Sequence, residues 1–247
     1  MKIKILFLFF SFLVIQISMS APIKADKTLS FCTFPIPLMV ENEEKGVFID
    51  LAKRIAKRAH IDIHINVLPP KRAINNFLKG DADALFPALD VNFPTGIKFA
   101  KTQELIYIKE DFVFTKKGNP MLITIQDLEE KKIGITLGYP YVFELTHNNL
   151  IKLETAITDE QNAIKLIKGR LDAFVVEEKS GLKAFKKTNL YKEMQYNPRI
   201  PLSRQDVYFA FQYTDDGNKF AELFSNALKE MKKDGTFGKI MSKVNPE

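Results

Sequence analysis

His60, Asp62 and His64 are the residues whose types most directly suggest chemistry. Two imidazoles and a carboxylate alternate along "HIDIH", which a strand would place on one face, and such a set can hold zinc. The same spacing describes the polar face of an ordinary strand, and no metal is expected. His147 stands alone. The chain has no Gly-x-Ser-x-Gly elbow, no His-Glu-x-x-His helix, no phosphate-binding glycine loop and no paired cysteines, which weakens an enzymatic reading. The single Cys32 has no partner for an internal disulfide and reads as a small buried residue rather than a reactive thiol.

Two aspartates sit inside a repeated module. "LKGDADALF" (78–86) and "IKGRLDAFV" (167–175) share one order, a helix end, a glycine, an aspartate and an apolar strand, 89 positions apart. Asp83 and Asp172 fit acceptors of backbone N–H groups at the turn into each strand. Written twice, the module implies two similar α/β lobes.

The elements that must position these residues follow from periodicity. "TLSFCTF" (28–34) is a β-type run. Phe48, Leu51, Ile55, Ala56 and Ala59 recur at spacings of three and four opposite Lys53, Arg54, Lys57 and Arg58, an amphipathic helix. "IDIHINVL" (61–68) alternates as a strand. Pro69 and Pro70 then open a helix that Gly80 can close in the left-handed conformation, and "ADALFPAL" is the next strand. The order β, α, β, α, β implies a largely parallel sheet covered by helices. "DFVFTKK" (111–117) is an apolar strand, followed by a short helix around "TIQDLEEK". A second series begins at "KIGITLG" (132–138), with helices near 141–146 and over 160–168 and the strand "LDAFVVEE". "VYFAFQY" (207–213) and a helix striped with Phe220, Phe224, Leu228 and Met231, ending near Gly235, complete the chain.

A length of 247 residues with 46% hydrophobic content suffices for one large or two small domains. Lys2 and Lys4 precede an apolar run from Ile5 to Ile17 and small residues at 18–21, the pattern of a secretory signal peptide over 1–25, cut after Ser20 or after Ala25. The run is short of the roughly 20 residues of a spanning helix. The formal charge of +6 falls to +3 once Lys2, Lys4 and Lys24 leave with the leader. Lysines lie beside acids along the helices with no aromatic-interleaved basic stripe, which argues against nucleic-acid binding.

The segments "PIPLMVENEEKGVFIDLAKRIAKRA", "INNFLKGDADALFPAL", "KIGITLGYPYVFEL", "AIKLIKGRLDAFVVEEKSG" and "FSNALKEMKKDGTFGKI", in that order behind a leader, resemble the periplasmic solute-binding proteins of family 3. The resemblance covers nearly all of the mature chain. It implies the type II periplasmic binding protein fold: two α/β lobes, each a mostly parallel sheet flanked by helices, joined by two crossing strands near "EDFVFTK" and "DVYFAFQ". Lobe 1 would comprise 26–112 and 207–247, and lobe 2 residues 113–206. A solute would lie between them and be buried by hinge closure.

Carried over residue by residue, the resemblance places Phe34 and Leu38 in a ligand-covering loop, with packing of the strand end as the other reading of Phe34. It matches Ala88 and Asp90 to a carbonyl and a polar side chain facing the solute. It sets Thr95 or Gly96 where amino-acid binders carry an arginine that clamps the α-carboxylate. Arg72, in "PPKR", is a candidate replacement cation. Gly138 precedes a helix whose free amides suit an anion, and Tyr139 or Tyr141 could line the cleft. Glu177 matches the acid that pairs with a ligand amine, while Glu178 should point away. Asp90 would then accept from an ammonium group, and Asp90 and Glu177 together, without the arginine clamp, suggest a solute with a cationic end, an unusual amino-acid derivative or an amine. The resemblance implies a monomer without a cofactor that delivers its solute to an inner-membrane ABC permease, or presents it to a membrane sensor. Periplasmic cyclohexadienyl or arogenate dehydratases share the resemblance, with Glu177 then a proton donor.

Overall fold

The computed structural model describes residues 28–36 and 39–244. The expected leader and Leu38 lie outside these residues. Each half opens with a parallel β/α series. β1 (Leu29–Thr33), α1 (Val47–Arg58), β2 (Ile63–Val67), α2 (Pro70–Lys79) and β3 (Ala84–Ala88) are followed by the short β4 (Phe99–Lys101). β5 (Tyr107–Lys116) leads into β6 (Lys132–Thr136), α3 (Phe143–Thr146), β7 (Lys152–Ala156), α4 (Asp159–Ile167), β8 (Ala173–Glu177), α5 (Glu178–Lys187) and β9 (Met194–Gln195). β10 (Ser203–Gln212), α6 (Asp215–Lys233) and α7 (Thr236–Met241) close the fold.

Strands β2-β1-β3 are parallel, as are β7-β6-β8. The two long strands link the groups. β10 pairs with β5 over 203–207 and with β3 and β4 over 208–212, while β5 turns from β10 to β8 at Asp111. Both crossing strands start three residues or more before the apolar runs that marked them, because their first halves are polar.

Alternate residues of each strand feed separate cores, the signature of sheets covered on both faces. Phe31, Phe86, Phe209 and Phe211 enter a cluster with α1 and α6, whereas Cys32, Leu85, Tyr208 and Ala210 enter another with α2. In the second half Phe112, Phe114, Phe174 and Val176 pack on α4 and α5, and Val113, Ala173 and Val175 pack on the opposite side. Cys32 is buried as expected, and burial raises its thiol pKa.

The two aspartates of the repeated module do equivalent work. Asp83 Oδ2 accepts from Ser30 N at 2.8 Å and ties β3 to β1, and Asp172 Oδ2 accepts from Lys132 N at 2.8 Å and ties β8 to β6. Gly80 takes the left-handed cap conformation, with φ 81°.

Several local expectations are corrected. The helix near 141–146 is a single turn starting at Phe143, so Pro140 is outside its first turn. The segment "TIQDLEEK" holds only a 3-10 turn at Gln126–Leu128. β7 and α5 were not anticipated. His60 lies in the turn before β2 with φ 57°, off the strand that was to align it with His64. Among the described residues no cluster of three His, Cys, Asp or Glu side chains is placed to hold a metal ion.

α6 is capped by Thr214, whose hydroxyl accepts from Gly217 N at 3.0 Å, with Asp215 and Asp216 in the first turn. Thr214→Ala should destabilise the protein by about 1 kcal/mol. The thermal midpoint would then fall by about 2–4 °C in a calorimetric scan.

Candidate functional site: the cleft between the lobes

A cleft of about 220 Å³ opens where the two halves face each other across the crossing strands. One wall comes from the loop after β1 and its neighbours: Phe34, Pro35, Ile36, Met39, Phe48, Pro70, Pro87 and Leu89. The floor is the crossing strands, through Tyr107, Lys109 and Val207. The far wall is the turn after β6, Leu137 to Pro140, with Glu177 and Ser180 at the start of α5. Most of the lining is apolar, and a few polar groups converge on it, the usual make-up of a small-molecule site.

Glu177 is the acidic group of this lining, and it is 8% exposed. Its Oε2 accepts from Ser180 N at 2.9 Å, capping α5, and its Oε1 accepts from the Tyr107 hydroxyl at 2.8 Å. Each carboxylate oxygen retains a lone pair after those bonds. Burial and the neighbouring Glu177 charge push the Tyr107 hydroxyl well above the ordinary tyrosine pKa, which keeps it a donor. Glu178 instead accepts from Tyr196 at 2.9 Å and is absent from the cleft lining, as strand alternation implied.

Tyr139 lines the cleft and donates to Asp159 Oδ2 at 3.1 Å. Burial raises the Asp159 pKa, although the Thr136 and Tyr139 hydroxyls pull it back. Tyr141, 6% exposed, is structural in its contacts: its hydroxyl accepts from Thr136 N at 2.9 Å and donates to Val175 O at 3.1 Å.

Phe34, Gly138, Tyr139 and Glu177 therefore meet in one cleft. Phe34 lines the cleft and also packs with Cys32 and Phe77 at the end of β1. Gly138, at φ 84°, shapes the turn after β6. Ala88, Asp90, Thr95 and Arg72 are not part of this lining. Ala88 is fully buried in the core. Asp90 accepts from Tyr208 and pairs with Lys101 at 3.0 Å; burial would raise its pKa, but these two partners outweigh that and lower it. Thr95 is exposed beside Gly96, and Arg72 is exposed on α2.

Tyr107, Lys109 and Ser180 line the cleft without having been anticipated. Behind Lys109 lies Asp111, 1% exposed, which accepts bonds from Lys109, from Ser203 Oγ at 3.1 Å and from Gln205 Nε2 at 3.3 Å. No local sequence signal marks them: in the first half of each crossing strand Lys109, Asp111 and Gln205 are buried while Ile108 is 39% exposed, the reverse of their polarity. A larger hollow of about 450 Å³ lies between β4 and α6, bounded by mixed charges such as Lys101, Glu104, Glu222 and Lys229. One half of the molecule supplies all of its lining, so it lacks the two-sided enclosure of the cleft.

Two α/β lobes joined by crossing strands around such a cleft define a two-lobed solute-binding protein. Residues 33–246 match the bacterial extracellular solute-binding proteins, family 3, and the chain belongs to that family. It is 22% identical over 214 residues to the probable amino-acid-binding protein YxeM of Bacillus subtilis, covering 85% of this chain and 80% of that one. It is 24% identical over 210 residues to the histidine-binding periplasmic protein of Escherichia coli, covering 82% and 80%. The GluR0 ligand-binding core from Nostoc punctiforme, solved with L-glutamate, superposes with a TM-score of 0.68 at 17% identity, covering 87% of this chain and 98% of that one.

Proposed function

We propose that this protein captures a small solute with a cationic end, an amino-acid derivative or an amine, in the cleft and delivers it to an inner-membrane ABC importer. The observation that carries the reading is Glu177, a nearly buried carboxylate on a mostly apolar two-sided cleft, with lone pairs left for an ammonium group. The named relatives bind amino acids, which supports that solute class. Lobe 1 is assigned to 26–112 and 207–247 and lobe 2 to 113–206, a division that the hydrophobic clusters support except at Phe112, which packs with α4 and α5 of lobe 2. Phe34, Gly138 and Tyr139 would contact the solute with Glu177, and Leu38 would join them from the loop of Phe34.

Residues 1–25 are assigned to a cleaved leader and the mature protein to the periplasm, where it acts as a monomer and binds without turnover. Closure over the solute would be a population shift, limited by how much better the closed form holds the ligand. The closed surface is what a permease, or a membrane sensor in its place, would read.

A thermal-shift panel of amines, amino acids, organic anions and neutral sugars tests the solute class. A cationic solute at about 100 times its Kd should stabilise by about 2.7 kcal/mol, a rise of about 5–10 °C. Stabilisation by anions or sugars alone would contradict the proposal. Turnover of prephenate by the purified protein would replace it with a dehydratase.

A further inference from the structure

Lys109 is the one cation among the described residues that line the cleft, and it is 8% exposed. The geometry points to its ammonium as the partner of a carboxylate on the solute, in place of the arginine clamp that this chain lacks. This rests on the cleft as the solute site and narrows the solute to a zwitterion, with its cationic end on Glu177 and its carboxylate on Lys109.

Strand alternation puts Tyr107, Lys109 and Asp111 on one face of β5. The register sets Asp111 opposite both Glu177 on β8 and Ser203 on β10, and Lys109 opposite Gln205. The same face of these paired strands thus offers Glu177 from β8 and Lys109 from β5 to one cleft.

The ammonium is aimed from behind. Asp111 takes bonds from it with both oxygens and is itself held by Ser203 and Gln205, and the Tyr141 ring centre lies 5.3 Å from the Lys109 nitrogen. Those two bonds to Asp111 use two of three ammonium donors and leave one for the cleft. Gln205, which holds Asp111, also donates from Nε2 to Pro140 O at 3.2 Å and ties the cleft turn to β10. A lysine lacks the planar fork of arginine, so charge would govern selection more than carboxylate orientation.

Calorimetric titration of the purified protein with the twenty L-amino acids, their α-amides and their decarboxylated amines tests the assignment. The amino acid that binds best should lose at least about tenfold in affinity on conversion to either derivative, the loss of one charge-assisted hydrogen bond. Lys109→Met should bring the three forms within about threefold of one another, the residual spread of neutral hydrogen bonding. Lys179→Met, a control at a nearby cation 5.6 Å from the Tyr107 ring centre, should keep the preference. An amide or amine that binds the unmodified protein as tightly as its parent acid overturns the role of Lys109 and leaves the cleft reading intact. Binding of none of the three forms overturns both. Equal binding of the three forms by the unmodified protein would overturn the assignment even if Lys109→Met does not fold.

Discussion

Replacing Glu177 with glutamine is expected to weaken solute binding at least about thirtyfold while changing the thermal midpoint of the unliganded protein little. Removing one partner of a buried, hydrogen-bonded charge pair costs about 2–5 kcal/mol of binding, and the lower bound corresponds to about thirtyfold in Kd. The substitution isolates charge. A glutamine carbonyl can still accept one of the two bonds that Glu177 receives, from Ser180 N or from the Tyr107 hydroxyl, so α5 keeps a cap. Titration of the variant with the best solute of the thermal-shift panel, alongside an unfolding scan without solute, separates the two effects. Unchanged affinity would remove Glu177 from the site.

Asp111→Ala is expected to carry the largest stability cost of any cleft substitution, about 3–5 kcal/mol, because it strands a buried ammonium. Lys109 would lose both carboxylate oxygens, and Ser203 and Gln205 would lose their shared acceptor. At about 2–4 °C per kcal/mol for a chain of this size, the midpoint should drop by about 6–20 °C. Replacing Lys109 and Asp111 together with apolar residues of similar volume should recover much of that loss, since a buried pair exchanged for good packing is often neutral. A drop under about 2 °C for Asp111→Ala would mean that water reaches the pair, contrary to its burial.

Much of this fold was legible because its signals were local. The α1 stripe from Phe48 to Ala59, the Pro70 start and Gly80 end of α2, and the twin aspartates at 83 and 172 each follow from a few neighbouring residues, and each is found in place. β7 was missed because "KLETA" is short, polar and only partly buried, and α5 because Glu177 caps it through a side-chain bond without a serine or threonine to mark the start. The helix expected near 141–146 was overextended: the chain runs through the turn at Gly138 before helix begins at Phe143.

The site was legible only in part for a related reason. Phe34, Gly138, Tyr139 and Glu177 follow strand ends, where α/β folds place ligands. Lys109, Asp111 and Gln205 gain their meaning from a cross-strand pairing that joins β5 to β10 across roughly a hundred residues. In the fold Lys109 is buried while Ile108 is 39% exposed, and a buried charged residue is the more informative observation. Asp90 and Thr95 were located by correspondence with relatives that carry an arginine nearby, and that correspondence had little to hold it once the arginine was gone.

The most direct measurement is a crystal structure of the protein grown with the tightest binder from the solute panel. Continuous density for that solute should lie between Phe34 and Tyr139, with its cationic nitrogen within hydrogen-bond distance of Glu177 and side chains from both lobes in contact. Density confined to the hollow between β4 and α6, or to one lobe alone with Glu177 untouched, would contradict the account.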